Sequence, residues 1–180
     1  MIVCGRANFT NLSRYSNFNE RTYRRNYANV ADFDALNLWC ISQATDSSIE
    51  QIAAVDCSFV PKSGKKTEGL DRFFNGSHSK CERGLEWSVL SIIDLKQNTA
   101  YPLNAQQTPA QLEIADETTS ESATRVDWYL KQVQQVRNLL PPLVKYLAAD
   151  GYYSKKKWID GIVALELHAI GKLRRDSHLK

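Results

Sequence analysis

The apolar positions change spacing several times along this chain, and each change predicts an element. Ile52–Val60 (IAAVDCSFV) is a nearly unbroken apolar run, rich in β-branched and aromatic residues, and predicts a buried strand with one acid, Asp56, in its middle. Glu86–Leu95 alternates Trp87, Val89 and the Ile92/Ile93 pair in strand fashion, and Thr99–Leu103 is its expected hairpin partner across Lys96-Gln97-Asn98. From Ala123 to Leu140 the period lengthens: Val126, Tyr129-Leu130, Val133, Val136 and Leu140 recur every three or four residues, the pattern of an amphipathic helix. A short strand over Leu143–Asp150 follows Pro141-Pro142, with Val144, Tyr146 and Leu147 as its apolar positions and Asp150 at its carboxyl end. Gly151 turns the chain, Ser154 is the expected cap of a helix through Trp158, Ile159, Ile162 and Val163, and Leu167–Leu173 is a last strand.

The first 45 residues have a different texture. Gly5, Asn8, Asn11, Ser13 and Ser16 cut the chain into short pieces between Phe9, Leu12, Tyr15 and Phe18. Asn19–Tyr27 predicts a helix carrying Arg21, Arg24 and Arg25, and Asp32–Ile41 a second helix with Phe33, Leu36 and Trp39-Cys40 as its apolar face. Residues 1–45 therefore read either as a helix-turn-helix-like segment whose arginines face DNA phosphates or as a small helical cap with solvated arginines. Residues 46–180 form the second expected domain. Pro61–Gly84 and Gln106–Glu121 read as polar connections.

After residue 50 the order is strand, strand, strand, helix, strand, helix, strand. That is the order of an RNase H-like α/β core, a mixed sheet with flanking helices, in which an acid on the first strand meets an acid at the end of the fourth. Asp56 and Asp150 occupy those places. A charge within a buried strand is costly unless it is paired or bound to a metal. Two carboxylates brought together suit one Mg²⁺, which is held by one or two carboxylates plus phosphates and water. The plainer alternative for Asp150 is a strand-ending acid in a turn, with Lys155, Lys156 and Lys157 on a solvated helix face.

Composition narrows the field. The chain has 180 residues, 43% of them hydrophobic, enough for one domain plus a small appendage. The net charge of +3 is weak, but its excess clusters near the two acids: Lys62, Lys65 and Lys66 follow the first strand, and the lysine triplet follows the fourth. Such asymmetry suits a polyanion. Ser63-Gly64-Lys65-Lys66-Thr67 is not a phosphate-binding P-loop, because Phe59 stands where its first glycine belongs and the hydroxyl is one place late. The four cysteines are scattered without a CxxC pair, and His78 and Cys81 lack a second ligand pair, which argues against zinc. No apolar run reaches the length of a membrane span and no signal-peptide pattern opens the chain, so the expectation is a cytoplasmic protein.

Several blocks, in order, resemble the bacterial insertion-sequence transposases of the DDE type, in the group whose third acid lies in a Tyr-Arg-Glu-Lys signature. They are Asn11–Tyr15, Glu20–Tyr27, Val55–Thr67, Gly69–Phe73, Asn75-Gly76, Arg83–Glu86, Gln106–Pro109 and Tyr146–Lys157. The resemblance implies that Asp56 and Asp150 are the first two catalytic acids and ligands of Mg²⁺ or Mn²⁺. It implies in-line phosphoryl transfer on double-stranded DNA, at transposon ends and then at a target, with homo-oligomers possible. It places Lys62, Lys65, Lys66, Lys155, Lys156 and Lys157 along the DNA backbone. The third acid, a Glu on a later helix, has no counterpart. No Tyr-x-x-Arg-x-x-x-Glu pattern occurs, and Glu166 falls out of order. The expectation is a C-terminally truncated chain with weak metal binding and little strand cleavage alone. The alternatives are a non-catalytic DNA-binding remnant and, in another class, a protein-interaction domain.

Overall fold

The computed structural model describes residues 4–5, 8–46, 49–64, 66–112 and 124–173. The chain divides into two units, Met1–Phe33 and Asp34–Lys180.

In the first unit, α1 (Phe9–Arg14) and α2 (Glu20–Tyr27) begin at asparagines whose side chains cap them: Asn8 accepts from the Asn11 amide and Asn19 from the Thr22 amide. The ring of Phe9 meets Tyr27 edge-on, with centroids 5.2 Å apart, and the Arg24 guanidinium lies over the same Phe9 ring. Arg24 also forms an exposed i,i+4 pair with Glu20, an interaction that adds only a few tenths of a kcal/mol, about 0.3–0.5.

The second unit opens with α3 (Phe33–Ala44). Its inward residues are not the expected ones. Phe33, Leu36 and Trp39 are exposed, whereas Ile41 is buried and Leu38 packs on the core. The polar members of that inward stripe anchor the helix: Asn37 Nδ2 donates to the Leu103 carbonyl, and Asp34 accepts from Asn104 Nδ2. Specific hydrogen bonds to one strand set the rotation of this helix, and the more apolar stripe is left outside.

Six strands follow: β1 (Gln51–Pro61), β2 (Asp71–Asn75), β3 (Lys80–Asp94), β4 (Thr99–Gln107), β5 (Tyr146–Ala149) and β6 (His168–Gly171), with α4 (Arg125–Val136) and α5 (Lys156–Ala164) between the later ones. The order across the sheet is β2-β3-β1-β5-β6, and β4 pairs with the far end of β3. β1, β2 and β4 run antiparallel to β3, whereas β5 is parallel to β1 and β6 to β5. This is the RNase H-like mixed sheet with flanking helices, preceded by a helical N-terminal unit.

Three departures from expectation have local causes. Pro61–Gly84 is not all connection: Asp71–Asn75 pairs with Lys80–Gly84, so β3 starts six residues before its apolar stretch. That hairpin is held by backbone pairing and a polar tip, not by hydrophobic alternation. Within β3 the buried side chains are Glu86, Ser88, Leu90, Ile92 and Asp94, while Trp87 and Val89 are half-buried. The polar members of the buried set have partners. Tyr129 Oη donates to Glu86 Oε1 at 2.6 Å, Ser88 Oγ donates to Gln132 Oε1 at 2.6 Å, and Asp94 Oδ1 accepts from the Gln97 amide. Lastly, Ser154 does not cap α5. It belongs to the end of a 3-10 turn over Gly151–Tyr153, donating to the Gly151 carbonyl, and α5 starts after Lys155 without a side-chain cap.

The core is one cluster. Ala53, Val55, Leu90, Ile92, Leu103, Val126, Tyr129, Val133, Val136, Leu147, Trp158 and Ile162 are all buried in it. Each large side chain there contributes about 1.5–3 kcal/mol by leaving water. α4 is fixed at its start by a reciprocal cap between Thr124 and Asp127. It meets α5 where Gly161 leaves room for Leu130; a Cβ at Gly161 would stand 2.6 Å from Leu130 Cδ2. Among the described residues no helix is long and apolar enough to cross a membrane.

Candidate active site

The parallel pairing of β1 with β5 positions the two acids. Val55 stands opposite Ala149, and the next residue on each strand is an aspartate, Asp56 and Asp150. Both line one cleft together with Cys57, Phe74, Glu86, Arg125, Tyr129, Tyr152 and Tyr153. Asp56 is not buried in the strand as expected. Val55 and Cys57 turn inward, and Asp56 takes the exposed side of β1. Its Oδ1 accepts from the Cys57 amide at 2.9 Å. Asp150 accepts from the Tyr152 amide at 2.9 Å, which closes the turn after β5.

The cleft has a rigid floor. Tyr153 is buried, and its hydroxyl lies 3.1 Å from Cys57 Sγ, tying the turn after Asp150 to the strand that carries Asp56. Tyr153 packs against Trp158 and Tyr129, with centroids 4.7 and 5.5 Å away. Burial pushes the Tyr129 and Tyr153 phenols and the Cys57 thiol above their ordinary values, so all three stay protonated at neutral pH. Burial of its carboxyl in the cleft also raises Asp56. The Cys57 amide opposes that rise, and the charge of Asp150 adds to it. Although the residue as a whole is exposed, its carboxyl faces inward enough to lose part of its water and to feel its neighbour.

A divalent cation suits this donor set. Two carboxylates that repel one another at a small cleft are what a hard, oxygen-seeking cation such as Mg²⁺ relieves. The cleft encloses about 120 Å³, room for an ion with some of its water but below the 300–1,000 Å³ or so of pockets that swallow a small molecule. Any larger substrate must present its reacting group at the mouth. Among the described residues no three His, Cys, Asp or Glu side chains are grouped to hold an ion.

The other predicted residues are dispersed. Lys62 and Lys66 are exposed beyond β1, and Lys65 lies outside the described residues. The triplet after β5 is partly engaged: Lys155 Nζ sits 4.5 Å from the Tyr152 ring centroid, Lys156 pairs with Asp160, and Lys157 pairs with Asp127 at 2.5 Å. Arg21, Arg24 and Arg25 are exposed on α2, in the other unit. Phe74, Glu86, Arg125 and Tyr129 were not singled out from the sequence as site residues. Glu86 carried a signal, since it shares the parity of Leu90 and Ile92 on one strand and so must face inward with a partner.

The RNase H-like sheet thus carries one acid on its first strand and another just past the end of the neighbouring parallel strand. Residues 15–180 match the family described as DDE superfamily endonuclease, and the chain belongs to that family. No curated protein matches the chain. Solved structures similar to it include a piggyBac transposase synaptic complex with hairpin DNA (12% identity, TM-score 0.44, 69% of this chain and 23% of that one). Another is the Ciona intestinalis endonuclease V in complex with an inosine-containing 24mer DNA (14% identity, TM-score 0.36, 69% of this chain and 46% of that one). The chain thus spans less than half the length of either.

Proposed function

We propose that this chain acts in metal-dependent phosphoryl transfer on DNA of the DDE transposase kind, with Asp56 and Asp150 as the ligands of one Mg²⁺ or Mn²⁺. The observation that carries the reading is the register of β1 and β5, which brings an acid in the middle of β1 and an acid just past the end of β5 to one cleft. Membership of the DDE superfamily endonuclease family supports it. When bound, the ion supplies Lewis-acid polarisation of a phosphoryl group. The chain's own residues do the rest. Asp56 and Asp150 would hold that ion at the cleft. The buried Tyr153–Cys57 contact holds the two strands at constant separation, and Arg125 on the cleft wall offsets phosphate charge. Lys62, Lys65, Lys66 and Lys155, with Arg21, Arg24 and Arg25, attract the DNA backbone without reading its sequence. Among the described residues no third carboxylate is grouped with these two to hold an ion, and Glu86 on the cleft wall is engaged by the Tyr129 hydroxyl; a second ion is short of a ligand there, so weak strand cleavage by this chain alone is expected.

Calorimetric titration with Mn²⁺ tests the reading. One ion should bind per chain, and Asp56→Asn or Asp150→Asn should each abolish binding. Undiminished binding in both variants would refute it. Retention of duplex DNA should fall steeply as salt rises, because the contacts are to phosphates.

A further inference from the structure

The hairpin of β2 and β3 places an aromatic ring where backbone pairing alone would not put it. Phe74 pairs with Cys81, and Asp56 pairs with Val89, eight residues further along β3. On a straight ladder those two rows would lie about 26 Å apart. Yet Phe74 lines the same cleft as Asp56 and Asp150, so the hairpin curls back over the site. The curl coincides with Gly84, the residue of β3 at which β1 ends and β2 begins. A Cβ there would meet Phe59 Cε2 at 2.4 Å and the Val60 carbonyl oxygen at 2.5 Å. A glycine within a strand marks such a bend or close approach.

The two neighbouring phenylalanines do different things. Phe73 is fully buried under the Arg125 guanidinium, 5.0 Å from its ring centroid, and pins the hairpin to the start of α4. Phe74 is 57% exposed and, among the described residues, stacks on no other ring. Asp56, Asp150 and Arg125 line the same cleft, and of its other rings Tyr129 and Tyr153 are buried and Tyr152 is half-buried with Lys155 Nζ over it. Phe74 is therefore the exposed ring of this cleft, and an exposed flat ring beside charges is a poor seat for an apolar protein surface. It is a good one for a molecule that is itself flat, stackable and attached to a phosphate. The cleft is too small to enclose such a molecule, so the ring must be met at the mouth.

We infer that Phe74 is a platform on which an unpaired nucleobase stacks beside a phosphate at the proposed cation site of Asp56 and Asp150. The inference rests on the DNA reading given above and adds a single-strand preference to it. Base–aromatic stacking tolerates any base, because every base has a π-face.

A short single-stranded oligonucleotide carrying one 2-aminopurine, bound to the full chain in Ca²⁺, tests it, with anisotropy of a fluorescein label as the measure of binding. Stacking quenches 2-aminopurine, so binding to the wild type should quench it. Phe74→Ala should abolish the quench and weaken single-strand binding at least about five-fold, while binding to fully paired duplex is little changed. Phe74→Tyr keeps the ring and should keep both signals. Matching circular-dichroism melts of the variants exclude unfolding as the cause. A quench that survives Phe74→Ala, or that is lost in a folded Phe74→Tyr, overturns the inference. Wild-type binding without any quench overturns it too and leaves the DNA reading standing. If the wild type binds neither single-stranded nor duplex DNA at low salt, the DNA reading falls and the stacking platform falls with it.

Discussion

Replacing Asp56 by Asn should stabilise the metal-free protein and remove its thermal response to divalent cations. The Asp56 carboxyl is raised in the folded state, first by burial in the cleft and then by the charge of Asp150, against the Cys57 amide. A folded-state value above the unfolded one means that the native protein binds the proton more tightly. Stability therefore falls as pH rises from the ordinary carboxylate value through the raised one, and the full cost is present above the raised one. Asn keeps the acceptor for the Cys57 amide and loses the charge. For a site this exposed, solvent screening limits the gain to about 0–1 kcal/mol. A bound cation does more. At tenfold excess over its dissociation constant it stabilises by about 1.4 kcal/mol, which for a unit of about 150 residues raises Tm by about 3–6 °C. Differential scanning fluorimetry across a Mg²⁺ and Mn²⁺ series reads both effects. Wild type should climb with metal, while Asp56→Asn should start slightly higher and stay flat. Asp150→Asn, which keeps the acceptor for the Tyr152 amide, should also stay flat. If both variants retain the full metal shift, the ion sits elsewhere; if Asp56→Asn starts markedly lower, the two carboxylates do not oppose one another.

Gly84→Val should lower the urea midpoint by about 1–3 kcal/mol of stability, since its Cβ would meet backbone at Val60 as well as the Phe59 ring; an unchanged midpoint would show that the hairpin's curl does not depend on that contact. Gln132→Leu leaves Ser88 and Asn104 without the amide that joins them, at a cost of about 1–3 kcal/mol, and a neutral result would mean the buried network contributes nothing. Asn75, His78 and Lys80 hold Glu82 down at about 2. The contribution of these contacts to the hairpin tip is present above the ordinary glutamate value and is lost as pH falls through about 2. The Asn75 side-chain amide signals in NMR should follow that titration in the wild type and not in Glu82→Gln.

The elements best read from the sequence are those whose periodicity and burial agree. α4, capped by Thr124 and Asp127, is a case where propensity, pattern and packing concur, and the turn between β3 and β4, at Asn98 with φ 50, is legible too. Asp56 and Asp150 could be paired in advance because the strand order lays the end of β5 beside the middle of β1. Elsewhere the strongest local signal was overruled. Phe33, Leu36 and Trp39 form the more hydrophobic stripe of α3, but Asp34 and Asn37 find partners on β4 and decide which way the helix turns. In β3 the larger apolar residues, Trp87 and Val89, suggested the wrong inward face, because Tyr129 and Gln132 on α4 satisfy Glu86 and Ser88. A partner more than forty positions away leaves no mark on a local window. Phe74 was hidden for the same reason, since its place depends on the curl of a hairpin that lacks hydrophobic alternation.

The parallel seam between β1 and β5 has a consequence for how the molecule matures. Only three register pairs join these strands, and the second of them must wait until the intervening meander and α4 are in place, because distant pairing is costly to close. Under the proposed reading, one of the ion's two carboxylates therefore arrives with one of the last segments to dock, and fraying of β5 would release the cation without unfolding the rest.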